Sequence, residues 1–126
     1  MYYPYLKSNT LLSPSERNFY RELKSLLEPR GLTVFSKVRL ADLVWIPDSY
    51  RYFNLFFSRI KSRHIDFVVC DSNTFDIKLL IELDDQTHNK PQTRSRDRFK
   101  DKVIQHARLP FIRCSTPLHV CNVIQD

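Results

Sequence analysis

From Ile77 to Leu83 the chain reads Ile-Lys-Leu-Leu-Ile-Glu-Leu, apolar on both alternating faces except at Lys78 and Glu82. Side chains of a strand alternate between faces, so such a segment rests only in a sheet covered on both sides. Glu82 and Asp84 close the run on one face, and Asp85, Gln86, Thr87 and His88 follow at once. Two acids side by side at the end of an apolar strand repel each other unless a cation or a proton sits between them. The segment therefore reads first as a metal-binding edge.

The rest of the chain supplies the layers that such a strand needs. Ser13-Pro14-Ser15-Glu16 opens a helix, with Ser at the N-cap, Pro at the first helical position and Glu three after the cap. Phe19, Tyr20, Leu23, Leu26 and Leu27 recur at helical spacing, and Pro29-Arg30-Gly31 stops it. Glu16 is a capping residue on this reading, and it also lies close enough to the apolar stripe to reach a site. Thr33–Leu40 reads as a strand, which Ala41–Ile46 can extend past a bend. Residues 50–64 are aromatic and basic, a short helix or a covering loop. Ile65–Cys70 is a strand with Asp66 near its start, and Asp71-Ser72-Asn73-Thr74 is a turn. Thr93–Ala107 has a helical stripe of Phe99, Val103 and Ala107, and Leu109–Cys114 is a last strand. The order is α-β-β-β-α-β, an α/β (α+β) fold. The connection between the last two strands is long enough for a parallel crossover, giving a mixed central sheet flanked by helices. Residues 1–12 read as an aromatic arm, 13–115 as the domain and 116–126 as a short tail.

Composition excludes some functions and suggests others. The one glycine, Gly31, rules out Gly-rich phosphate loops and dinucleotide fingerprints, which need several. Twenty Lys and Arg against fourteen Asp and Glu give a net charge of +6. The basic residues cluster at 59–63 and 90–102, which suits a polyanion such as nucleic acid and equally a solvated basic surface. Cys70, Cys114 and Cys121 lack zinc-ligand spacing, and Cys70 and Cys114 sit in apolar runs as buried thiols. That usage, an N-terminus without an apolar signal region, and the lack of any membrane-length apolar run point to the cytoplasm, with no membrane partner.

If the strands holding Asp66 and Ile77–Asp84 pair as a hairpin, Asp66, Glu82 and Asp84 converge at one edge. Three carboxylates suit Mg²⁺ or Mn²⁺, hard cations that bind oxygen and keep some water. Such a site hydrolyses phosphodiesters by orienting and deprotonating water and by neutralising charge on the phosphate. His88 is near enough to hydrogen-bond a metal-bound water or to protonate the leaving oxygen, or it satisfies a loop backbone group. Arg94, Arg96, Arg98 and Lys100 crowd the first half of the next helix, where the helix dipole disfavours cations. A bound phosphate would offset that cost, while Asp97 and Asp101 offer local ion pairs as the alternative. His106 and His119 are surface or structural residues.

Taken in order, Ser13-Pro-Ser-Glu16-Arg-Asn-Phe-Tyr, Val38-Arg-Leu-Ala-Asp42, Ser62-Arg63-His64-Ile-Asp66, Ile81-Glu82-Leu-Asp-Asp-Gln-Thr-His88, Arg96-Asp-Arg-Phe-Lys100-Asp and Leu109-Pro-Phe-Ile-Arg113 resemble the bacterial domain of unknown function 2726 (DUF2726). The resemblance spans roughly residues 13–115. It implies the restriction-endonuclease-like fold of the PD-(D/E)xK superfamily, near very-short-patch-repair-like endonucleases. Asp66 would then be the first motif acid, Glu82 the second, and Glu16 the acid that many members carry on the first helix. The implied activity is a Mg²⁺- or Mn²⁺-dependent DNA endonuclease, with Asp66, Glu82 and Asp84 on the metal. Lys100 and His88 would assist proton transfer or phosphate contact, and Arg63, Arg94, Arg96 and Arg98 would contact nucleic acid. The chain departs from the superfamily at one position: Asp84 stands where a lysine normally aligns or deprotonates the attacking water. Either Lys100 or Arg96 supplies the cation from the helix, or the chain is a catalytically silent nucleic-acid-binding or interaction module.

Overall fold

The computed structural model describes residues 1–84 and 98–124. Helix α1 (Pro14–Leu27) starts on the capping box read from sequence: Glu16 N–H donates to Ser13 Oγ at 3.2 Å, and Ser13 N–H donates to Glu16 Oε1 at 2.8 Å. A 3₁₀ turn over Glu28–Arg30 ends on Gly31 at φ +73°, a conformation that glycine adopts without steric cost. Strand β1 (Leu32–Arg39) then pairs antiparallel with β2 (His64–Asp71), and β2 pairs antiparallel with β3 (Ile77–Leu83). The Asp71 side chain accepts from the N–H groups of Asn73 and Thr74 at 2.8 and 3.0 Å, which fixes the turn between β2 and β3.

After β3 the chain crosses through α3 (Arg98–His106) to β4 (Phe111–Cys114), which lies parallel to β3. The sheet order is β1-β2-β3-β4, a mixed sheet in an α+β fold. β3 is central and its apolar run is covered on both faces, as its sequence requires. On one face Leu79 and Ile81 join Phe19, Leu23 and Leu27 of α1, with the Phe19 and Phe67 rings stacked 5.1 Å apart. On the other face Leu80 packs with Val68, Ile104 of α3 and Ile60 of α2 (Phe53–Ile60). Cys70 and Cys114 are buried free thiols, and their burial pushes both thiol pKa values up.

Two segments differ from expectation, and a third settles an open alternative. Ala41–Ile46 does not extend β1: Leu40–Asp42 is a 3₁₀ turn, held by the Arg39 guanidinium on both Asp42 oxygens at 2.9 and 3.2 Å. The aromatic stretch takes the helical alternative as α2. The presumed tail contains α4 (Pro117–Val123), whose Val120 is fully buried against the α1 face of the core. Arg30 holds its end by donating to the carbonyls of Cys121 and Ile124, both at 3.2 Å. A seven-residue helix is too short to show a 3.6-residue period, so periodicity alone missed it. Among the described residues no helix is long and apolar enough to cross a membrane.

Candidate functional site

The β2–β3 ladder ends at the pair Phe67↔Ile81. One residue further, Asp66 and Glu82 face each other across the opening strands. The backbone N–H groups of Asp66 and Leu83 would be left without partners across the fork, and the two carboxylates take up that role. Glu82 Oε2 accepts from the Asp66 N–H at 3.2 Å, and Asp66 Oδ2 accepts from the Leu83 N–H at 2.8 Å. The acids thus fill a fork between two strands, each clamped to the other strand's backbone. Local chain chemistry explains the fork: charged side chains at the end of a buried ladder cannot enter the core, so the strands part around them.

The pair is electrostatically unbalanced at Asp66. Burial pushes its carboxyl up to about 6, the negative charge of Glu82 adds to this, and Glu16 adds further repulsion. The Leu83 N–H pulls the other way without cancelling the rise. Lys100 of α3 enters from one side, ion-paired to Glu82 Oε1 and donating to the His64 carbonyl at 3.3 Å. Glu82 and Lys100 side chains are 13% and 15% exposed, so their charges act on each other through protein more than through water.

Glu16 has the capping role read from sequence and lies within electrostatic reach of the fork. Its Oε2 lies 3.7 Å from Lys37 Nζ. Lys37 was not anticipated as a site residue. It sits between the ladder pairs Ser36↔Phe67 and Val38↔Ile65, across the sheet from Asp66, with φ +53°. Side-chain alternation inverts there in both strands. Val34, Phe67 and Val69 face the α1 core, whereas Val38 and Ile65 face the α3 core together with Val68 and Cys70. A lysine inside an apparently regular strand carries no sequence signal of positive φ, so only backbone geometry reveals it.

The other expected residues are distributed as follows. Asp84 donates its N–H to the Cys114 carbonyl at 2.8 Å, continuing toward β4. It lines a depression of about 330 Å³ with Ser15, Asn18, Glu22 and Ser115, between α1 and the start of α4. Among the described residues no three His, Cys, Asp or Glu side chains are arranged as a ready metal cage, and the fork itself brings together two acids, Asp66 and Glu82. Arg63 lies with its guanidinium 4.7 Å from the Phe99 ring centre and reaches the Arg59 carbonyl. Arg98 is exposed at the first described turn of α3. His88, Arg94 and Arg96 lie outside the described residues.

Hard oxygen donors, surplus negative charge at Asp66 and an adjacent ammonium make up a site able to bind a divalent cation or a proton and to hold a polar group beside it. No curated protein and no solved structure matches this chain. A family model described as protein of unknown function (DUF2726) matches residues 8–124, and the chain belongs to that family.

Proposed function

We propose that this chain is a Mg²⁺- or Mn²⁺-dependent phosphodiesterase acting on DNA, built on the restriction-endonuclease-like core of the PD-(D/E)xK superfamily and akin to very-short-patch-repair-like endonucleases. The observation that carries the reading is the fork: Asp66 and Glu82 meet at the end of a central hairpin, with Lys100 against Glu82 and Glu16 within electrostatic reach. The donor set fits the cation. Mg²⁺ is typically held by one or two carboxylates together with retained water, so a full protein cage is not needed. Asp66 and Glu82 would hold it, and Asp84 would act from the water shell. When bound, the ion supplies charge neutralisation at the phosphate and acidifies a bound water.

The chain's own groups do the rest. Asp66, short of positive charge in the fork, is the oxygen donor with most to gain from a cation. Lys100 comes from a helix and not from the position two residues after the second acid, which Asp84 occupies. Its ammonium would orient the attacking water and contact the phosphate. Glu16 would complete the negative field, and His88 would protonate the leaving oxygen. Arg63, Arg94, Arg96 and Arg98 would grip the flanking backbone, since phosphate contacts position a nucleic acid without reading its sequence.

A second reading has its own support. Asp84 at the usual lysine position and the close Lys100–Glu82 ion pair also suit a silent module that binds nucleic acid without cutting it. Plasmid nicking with Mg²⁺ or Mn²⁺ separates the two. Cleavage by the wild type that is lost in Glu82→Ala and in Lys100→Met supports the phosphodiesterase. Retained DNA binding with no cleavage across supercoiled, nicked, mismatched and single-stranded substrates would leave the silent module.

A further inference from the structure

On the α3 side of the sheet, the loop before α2, α2 itself and the Phe99–Val103 side of α3 frame an open groove of about 460 Å³. Trp45, Ile46, Tyr50, Phe56, Phe99 and Lys102 are among its walls. The aromatic rings do not simply seal the core. Trp45 is 81% exposed, and Tyr50 and Tyr52 are 46% and 47% exposed. Exposed apolar surface of this extent on a small domain points to a partner.

The charge around the groove identifies the partner's chemistry. Residues 43–64 contain Arg51, Arg59, Lys61 and Arg63 against one acid, Asp48. Three of these arginines lie over rings: Arg51 is 5.3 Å from the Tyr52 centre, Arg59 is 5.6 Å from Phe56 and 5.7 Å from Phe99, and Arg63 is 4.7 Å from Phe99. A guanidinium stacked on a ring holds its plane while its edge N–H groups can still meet an anion. Flat apolar faces interleaved with fixed cations match a strand with unpaired bases and a phosphate backbone. A duplex, whose bases are stacked inside, offers the arginines its phosphates but gives the rings nothing to stack on.

The groove also leads to the fork. Phe99, in its wall, precedes Lys100, and Arg63 over Phe99 precedes His64, whose carbonyl accepts from Lys100. We infer that the Trp45–Tyr50–Phe99 groove is a binding site for an unpaired DNA segment, whose bases stack on its rings while its backbone runs along the arginines toward Asp66 and Glu82. The direction toward the fork rests on the phosphodiesterase reading; the stacking does not.

Trp45 is the one tryptophan of the chain, so its fluorescence reports on this groove alone. Full-length protein carrying Glu82→Ala is titrated in EDTA with a 15-nucleotide oligothymidylate and with a blunt duplex of equal length. The oligothymidylate is expected to quench Trp45 emission and to bind at least tenfold more tightly than the duplex at the same salt. Tyr50→Ala, at a half-exposed ring, is expected to weaken that binding about tenfold, the scale of one base–aromatic stack. Trp45→Phe is expected to retain binding, measured by anisotropy of a labelled oligonucleotide. Unchanged Trp45 emission at saturation, equal affinity for the duplex, or full binding by Trp45→Ala would overturn the inference. Quenching without nicking by the wild type would retain the groove and sink the phosphodiesterase. Nicking with Trp45 undisturbed would do the reverse.

Discussion

Replacing Asp66 by Asn should make the protein more stable at neutral pH while removing the proposed metal site. The Asp66 carboxyl is pushed from 3.8 up to about 6, by burial first and by Glu82 second. The folded state thus holds a proton more tightly than the unfolded chain. Sign follows directly: Asp66 costs nothing below about pH 4, where both states are protonated, and its cost grows as pH rises through 6 and then stays constant. A rise of this size corresponds to at most about 3 kcal/mol, and solvent contact at the half-buried group reduces that to about 1–2 kcal/mol. Asn keeps the geometry. Its carbonyl oxygen can accept from the Leu83 N–H, now 2.8 Å from Oδ2, and its amide can donate to Glu82. Urea unfolding of both proteins at pH 8 and pH 4.5, without divalent metal, measures the difference. Asp66→Asn should gain about 1–2 kcal/mol at pH 8, and most of that gain should vanish at pH 4.5. An Asn variant less stable than wild type at pH 8, or an equal gain at both pH values, would refute the account of the fork as charge-frustrated.

Three other outcomes follow from the same geometry. Lys37→Gly should leave stability unchanged or raise it by about 0.5 kcal/mol, because φ +53° strains any side chain, whereas Lys37→Val should cost at least about 1 kcal/mol; denaturant midpoints compare them. Glu16→Gln should keep the α1 cap, since Gln also serves at that position, while removing one repelling charge, so that the Asp66 carboxyl titrates at lower pH in a carbon-detected NMR titration. Val120→Ala should cost about 2 kcal/mol in thermal or urea unfolding, as expected of a core residue and not of a loose tail.

How legible each part was depended on how local its cause is. The α1 start was legible because a capping box is written in four consecutive residues. The burial of β3 on both faces was legible because its apolar run has no polar face to present to water. Glu82 and Asp66 could be paired in advance because a short turn after β2 leaves a hairpin as the simplest connection. Other features depend on contacts distant in sequence. The helical spacing of the residues 53–60 left a short helix and a covering loop open, and the packing of Ile60 with Ile65 and Leu80 selects the helix, whereas α4 forms because Val120 meets α1 and its seven residues show no period on their own. Lys37 escaped because its unusual backbone conformation arises where two strands invert together. Asp84 was placed with Glu82 by the two-residue period, but β3 ends at Leu83, and beyond a strand's end that period no longer governs direction.

Everything proposed for the fork depends on Asp66 and Glu82 holding a divalent cation. Crystals of the wild type grown with Mn²⁺, with diffraction recorded at the manganese absorption edge, test it most directly. One anomalous peak is expected in the fork, in contact with oxygens of both carboxylates, and it should be lost in Glu82→Ala. A fork without metal at saturating Mn²⁺, or a peak that persists unchanged in Glu82→Ala, would contradict it.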